Sequence, residues 1–283
     1  MFGNTVFMFG KTVFWRAGFV VVLLAASACT PSSRTSDSTS ANVRIERTDK
    51  EFDIARDVTR IAIDNPWGEI NVRSRDEREV GIHAVIQRMP PQFAAIKLTS
   101  RRDGDTLRID VVLEGAREGA DAAQSGRADI AVFVPNDLAL SLRTRDARIS
   151  AKKRGGALEA ATDSGEIQAS SFSRLNLHSR SGQIRAAAIG KRWSGVSEIS
   201  TESGRIVLLV PTFGDIALTA QTGGKLSTGF GLSVHALANG GHEAHARYGA
   251  GTSELRASST NGEIVLEQLV LLGDDKDLPE DDD

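Results

Sequence analysis

Four hexapeptides in this chain are nearly interchangeable: TDSGEI from Thr162, SRSGQI from Ser179, TESGRI from Thr201 and STNGEI from Ser259. Apolar residues alternate with polar ones on both sides of each, the mark of half-buried strands. Leu158, Ala160 and Thr162 point one way before the first turn, and Ile167 and Ala169 follow it in the same sense. The same reading gives Leu175, Leu177, Ile184 and Ala186, then Ile199, Ile206, Leu208 and Val210, and finally Leu255, Ala257, Ile264 and Leu266. A chain that writes strand, turn, strand over and over is an array, not a single closed motif.

The turn glycines are Gly165, Gly182, Gly204, Gly223 and Gly262, at gaps of 17, 22, 19 and 39, the last spanning about two units. An earlier unit, LSLRTRDARISA, carries Ala147 where the glycine is lost, and a still earlier one, IAIDNPWGEINV, is centred on Gly68. Inside the long gap, GGHEAHARYGAG is expected to interrupt the array as an irregular loop. Ser-Gly and Asn-Gly favour backbone with positive φ, which predicts a corner or tight turn at each glycine. Alanine there is expected to cost on the order of 1 kcal/mol or more. The inward Thr or Ser three residues before each glycine is expected to bond to neighbouring backbone.

Two all-β architectures fit. In a β-solenoid-like stack of roughly 20-residue repeats the chain bends at each glycine and coils pile in parallel. In an antiparallel meander or sandwich the Ser-Gly pair is a two-residue hairpin loop, and Thr162 pairs with Ile167. Composition favours the stack. After Cys29 there are six Phe, two Trp and one Tyr, which suits a thin core of small aliphatics better than a thick one.

The rest of the 283 residues divides around this array. Residues 1–28 read as a signal peptide, with Lys11 and Arg16 before the apolar run AGFVVVLLAASA, too short to span a bilayer. Met8 repeats the MFG of Met1 and is an alternative start. AASAC resembles a bacterial lipobox, with Ala26 where leucine is usual, and the resemblance makes Cys29 the lipidated first residue of the mature protein. Thr30 after it implies the outer membrane rather than inner-membrane retention. Residues 29–42 form the anchor cysteine and a tether, eight of the twelve residues from Thr30 to Ala41 being Ser or Thr. Residues 43–272 are the β-repeat domain and 273–283 an acidic tail. The tail stretch DDKDLPEDDD carries seven acids and one lysine, so the remainder of a chain of net charge −3 sums to about +3. With one cysteine, neither an internal disulfide nor a Cys-rich metal site can form.

The usual catalytic spellings are absent: no HExxH, GxSxG or GxxxxGK[ST]. His235, His242 and His245, with Glu243, are weak metal candidates whose spacing matches no defined ligand set. Asp163, Glu166 and Glu202 lie near turns and could converge across coils, as glycoside hydrolysis requires of two carboxylates. They alternate with Arg180, Gln183 and Arg205, which points to ion pairs between neighbouring coils instead. Arg143, Arg145, Arg148, Lys152, Lys153 and Arg154 make a basic stretch that could bind an anionic glycan or an acidic protein patch. Without interleaved aromatics it does not suit nucleic acid. Trp67 is expected to cap the core, and Trp193 to close a coil if buried.

The ordered series VTRIAIDNPWGEINVRSRD, IAVFVPNDLALSLRTRDARISA and then the DSGEI, RSGQI, ESGRI and TNGEI turns resembles the bacterial putative-adhesin β-strand-repeat family, a domain of unknown function, over Val43 to Leu269. The resemblance implies a solenoid-like exported or envelope protein and no particular activity. The expectation is a non-catalytic envelope lipoprotein without cofactors, held to the membrane by its lipid and facing the periplasm or cell surface. It would bind an envelope glycan or protein, or act as a scaffold. The alternatives are a solenoid-type polysaccharide lyase or hydrolase, and a sensing partner of an envelope-stress system.

Overall fold

In a computed structural model the body of the chain lies within residues 41–283. The structure describes residues 43–90, 95–114, 126–238 and 240–270, all in that body. Cys29, the tether and the acidic tail lie outside the described residues.

Those residues form an all-β body of two mixed sheets, one of ten strands and one of eleven. Each repeat gives one strand to each sheet, so the chain crosses from sheet to sheet at every turn. Named in chain order, β2 (Arg60–Asp64) and β3 (Ile70–Arg75) form one coil, and β8 (Ala139–Arg143) and β9 (Ile149–Arg154) the next. Then come β10 (Leu158–Thr162) with β11 (Ile167–Ser171), β12 (Leu175–Ser179) with β13 (Ile184–Ala188), and β14 (Val196–Thr201) with β15 (Ile206–Val210). Neighbouring coils pair in parallel and in register, Leu158 beside Leu175 and Ile167 beside Ile184. This is the stack, not the hairpin: Thr162 and Ile167 lie in different sheets.

The coils do not pile in sequence order. The last repeat, β20 (Ser253–Ser259) and β21 (Ile264–Gln268), inserts between β14–β15 and the coil of β16 (Ile216–Thr222) and β17 (Leu226–Thr228). At the other end β6 (Thr106–Leu113) and β7 (Gly126–Pro135) lie outside the earlier β2–β3. Antiparallel strands finish both ends. β5 (Ile96–Asp103) pairs with β6, β4 (Glu79–Arg88) with β7, and β1 (Arg44–Asp53) with β4. At the far end β19 (His242–Tyr248) pairs with β16 and β18 (Val234–Ala236) with β19. The expected irregular loop at GGHEAHARYGAG is therefore largely strand β19, because its alternation of Ala244, Ala246 and Tyr248 lets it cover the edge of β16.

The core is one layer thick. Ile130, Ile70, Ile149, Ile167, Ile184, Ile206, Ile264 and Leu226 stand side by side along the ten-stranded sheet, all buried. Each except Ile130, which lies within β7, sits two residues after a turn position, and each buried side chain of this size contributes roughly 1.5–3 kcal/mol. Small residues such as Ala151, Ala169 and Ala186 fill the next row and keep the sheets close.

The turn glycines do their work differently from expectation. None of Gly68, Gly165, Gly182, Gly204, Gly223 or Gly262 has a positive φ. They are glycines because the coils touch. A Cβ on Gly182 would lie 1.9 Å from the carbonyl oxygen of Gly165, one on Gly204 2.1 Å from that of Gly182, and one on Gly262 2.0 Å from that of Gly204. In the final coil Leu226 pairs with Ile264, so Gly224, not Gly223, stands level with Gly262. The hydroxyl expectation holds: Thr162, Ser179, Thr201 and Ser259 each accept the N–H of the glycine three residues on, at 2.8–3.0 Å. Thr162 also donates to the Arg145 carbonyl of the adjoining coil at 2.8 Å.

Candidate functional site

The basic stretch is split by the coil geometry. Arg143 ends β8 on the outer face of the eleven-stranded sheet, beside Asp64 of β2. Arg145, in the turn that follows, holds its guanidinium 5.1 Å from the centre of the Trp67 ring, a cation–π contact. Arg148, past the turn, pairs with Glu166 at 3.5 Å. Lys152 and Lys153 are exposed on the other sheet, where a bulge shifts the register against β11 and Lys153 takes a φ of 53°. Arg154 turns inward and is buried. It donates to Ser74 Oγ at 2.9 Å, to the Pro135 carbonyl and to the Leu138 carbonyl at 3.4 Å. Burial pulls its guanidinium down to about 10, against the opposing pull of Asp137. Arg154 is thus a structural tie between β9 and the 135–138 turn, and an anion in solvent has no access to it.

Arg143 and Arg145 share an open cavity of about 390 Å³ with Asp64, Pro66, Asp163 and His178. The Trp67 ring next to it is set by a buried asparagine. Asn65 donates its side-chain amide to the carbonyls of Ala128 at 2.8 Å and Glu69 at 3.2 Å. Its Oδ1 accepts the Trp67 N–H at 3.3 Å. This Asx turn holds Trp67 partly buried against the core with its ring facing Arg145. Burial pushes the Asp64 carboxyl up from its ordinary value; Arg143 opposes the shift and Asp110 on β6 adds to it. The cavity therefore presents two guanidiniums and a carboxyl that holds its proton more tightly than usual, while the Trp67 indole, stacked with Arg145, lines a smaller cavity beside it.

The other candidates do not converge. His242 donates from Nδ1 to the Gly224 carbonyl at 2.8 Å. His245 lies on the opposite face of β19, 3.4 Å from Glu243. His235 stands across from Glu243 on β18. Among the described residues no three His, Cys, Asp or Glu side chains gather as a metal site would require. Asp163 pairs with Arg180 at 3.5 Å, and Glu166 with Arg148. Glu202 follows Arg180 in the same turn column, its N–H on the Arg180 carbonyl. Further along, Glu263 sits between Arg205 at 3.2 Å and Lys225 at 3.6 Å. Carboxylates near the turns thus alternate with cations up the stack, as the sequence suggests, at about 0–1 kcal/mol per exposed pair. Trp193 is buried and ties its loop down, donating from the indole to the Glu254 carbonyl at 3.3 Å and from its backbone to Ser253 Oγ at 2.9 Å.

A second groove, of about 690 Å³, was not foreseen from sequence. It lies across β1, β4, β7 and β3, with Gly81 at its floor and Asp49, Glu51, His83, Phe133 and Arg75 around it. His83 meets the Phe133 ring edge-on at 5.2 Å and contacts Asp49. One signal existed. Ile130, Val132 and Val134 point inward, so Phe133 of IAVFVP must point out.

No family model matches the chain, and no curated protein does. Among solved structures the fold resembles that of a protein described as a putative cell adhesion protein from Clostridium sporogenes ATCC 15579. The TM-score is 0.51 at 12% identity, covering 80% of this chain and 100% of that chain. A protein described as a putative adhesin from Bacteroides fragilis NCTC 9343 aligns at a TM-score of 0.33 and 11% identity, over 78% of this chain and 97% of that chain, and carries no weight here. At such identities the likeness concerns the fold.

Proposed function

We propose that this chain is an exported, lipid-anchored envelope protein whose β-stack is a non-catalytic, adhesin-like binding or scaffolding module. The observation that carries this reading is the pairing of the turn carboxylates: Asp163, Glu166 and Glu263 each face a cation of an adjoining coil, not another carboxylate. A hydrolase or lyase needs an acid and a base aimed at one bond; a recognition surface needs varied side chains on a rigid frame. The frame is the ladder of buried aliphatics, and outward residues can vary without disturbing it. The likeness to the clostridial cell adhesion protein agrees with this. The contact patch assigned to the module is Trp67, Arg143 and Arg145, which suits an anionic envelope glycan or an acidic protein surface.

The address rests on Cys29 and is tested by labelling cells with a fatty-acid analogue. Wild type is expected to take up label and fractionate with the outer membrane; Cys29→Ala is expected to do neither. For the module, binding to envelope material should fall at least tenfold in Trp67→Ala/Arg145→Ala. Release of reducing ends from an envelope polysaccharide would instead favour a solenoid-type enzyme and overturn the reading.

A further inference from the structure

The two ends of the stack are finished unequally. At the far end the outermost strands, β17 and β18, have three residues each. At the near end they are β1, with ten residues, and β5, with eight, and each pairs on one side only among the described residues. Long unpaired edges are what folded proteins ordinarily avoid, because they accept another strand. We propose that these two edges are the interface with a second copy of this chain, head to head, with β1 of each copy adding to β5 of the other.

The shape of the end selects this arrangement. β6 and β7 belong to one coil; beyond it the ten-stranded sheet continues by two strands, β4 and β1, and the eleven-stranded sheet by one, β5. The end is therefore a step one strand high, about 4.8 Å. A two-fold axis along the strand direction brings each ten-stranded sheet onto the partner's eleven-stranded sheet, high against low, and both seams close together. An axis normal to the sheets would set β1 against β1 while the two β5 strands stayed about three strand spacings apart, a gap two strands wide. Direction also fits. β1 runs with β7 after two antiparallel steps, and β5 runs against β6, whose direction the turn reverses, so β1 and β5 point the same way. The two-fold along the strands keeps that direction and forms parallel ladders. Both copies then leave β1 at Arg44 on the same side.

Charge selects it again. The outward residues of β1 carry Arg47 against Asp49, Glu51 and Asp53, a net −2, and those of β5 carry Lys97 and Arg101, which also reach Glu114 and Asp110 of their own copy, against Asp103, a net +1, all exposed. Cross-pairing sets acid against base; self-pairing sets like against like, which destabilises a sheet. Hydrogen-bonding groups are in place too. Ala95 accepts from Glu114 at 2.8 Å, so by alternation Ile96, Leu98, Ser100 and Arg102 turn theirs to the free edge. One of these is already used: Lys50 Nζ reaches the Leu98 carbonyl at 2.8 Å and ties the two sheets of one copy together.

The test is sedimentation velocity on the full chain carrying Cys29→Ala, so that no lipid holds copies together. A concentration-dependent dimer is expected. Ser100→Pro removes an N–H that faces the free edge and no ladder bond, and is expected to give a monomer that melts as its parent does. Asp49→Lys/Glu51→Lys is expected to weaken the dimer at least tenfold, and adding Lys97→Glu/Arg101→Glu to restore it. A monomer at every concentration overturns the proposal. So does a dimer that the charge reversals leave unchanged, whether or not Ser100→Pro folds. Neither result bears on the Cys29 label or the Trp67 patch, so the functional reading stands or falls separately.

Discussion

The inner coils and the ends of this molecule use glycine for opposite reasons. In the inner coils a turn rests on the turn beneath it, and the carbonyl below occupies the place where a Cβ would go; for Gly165 the separation from the Ala147 oxygen would be 1.8 Å. At the near end Gly104 turns the hairpin between β5 and β6 with a φ of 61° and nothing within 4 Å of a Cβ. One position is about contact between copies of a motif, the other about the conformation of a single residue. The glycine is lost where the contact relaxes. Between Gly68 and Ala147 lies a small open cavity of about 170 Å³, beside the Asn65–Trp67 turn. A repeat persists in sequence where a unit rests on its own likeness, and fades where it rests on something else.

The largest expected effect breaks the inner contact directly. Gly182→Ala should cost about 3 kcal/mol or more, because backbone atoms of Gly165 and Ser164 lie within 2.7 Å of the new methyl and neither can move without its own coil. Gly104→Ala should cost about 1 kcal/mol, the price of a positive φ alone. Urea midpoints of the two variants measure the difference. Equal losses would mean that the stacked turns yield, and that the inner glycines are chosen for conformation after all.

A smaller effect sharpens the same comparison through hydroxyls. Thr162→Val keeps the shape and removes the acceptor for the buried Gly165 N–H, which is left unpaired, and one of the donors to the Arg145 carbonyl, which keeps the N–H of Asp163 at 2.8 Å. The expected loss is about 1–3 kcal/mol. Thr99→Val, at the exposed edge strand, removes a hydroxyl bond of 3.3 Å to the Asp110 carbonyl that water can replace, and should change stability by less than about 0.5 kcal/mol.

The same division explains what could be read from the chain. The ladder from Ile149 to Ile264 was legible because alternation and a fixed offset from each turn state which side chains face inward. The parallel stack was favoured by small residues such as Ala169 and Ala186, which suit a thin core, but not separated from the hairpin, since Thr162 could pair with Ile167 on the same spelling. The order of the coils was not legible, since nothing local in Leu255–Leu266 says that it slides between two earlier units. Nor were the caps: alternation in β4 and β7 shows a strand but not its neighbour, so Asp49, His83 and Phe133 come together only through long-range pairing. Arg154 misled for a further reason. The basic run had a continuous look in sequence, but the bulge at Lys153 flips its successor to the other face.

The smallest effect lies where inner coils meet the near end. Asp64 on β2 stands between Arg143 of the next coil inward and Asp110 of the next strand outward. Burial, with the second carboxylate, outweighs the arginine, and the folded protein binds that proton more tightly than the unfolded chain does. The sign follows. The contribution of Asp64 to stability is fully present below the ordinary carboxylate value of about 3.9 and is lost as pH rises through the raised folded value. Asp64→Asn never ionises, so at neutral pH it should match or exceed wild type by a few tenths of a kcal/mol, a small figure because Asp64 is exposed to water. Below about pH 4 the difference should close. If Asp64→Asn is instead less stable at neutral pH and the deficit shrinks in acid, the Arg143 pairing dominates, and this junction behaves like the ion-paired turns farther up the stack.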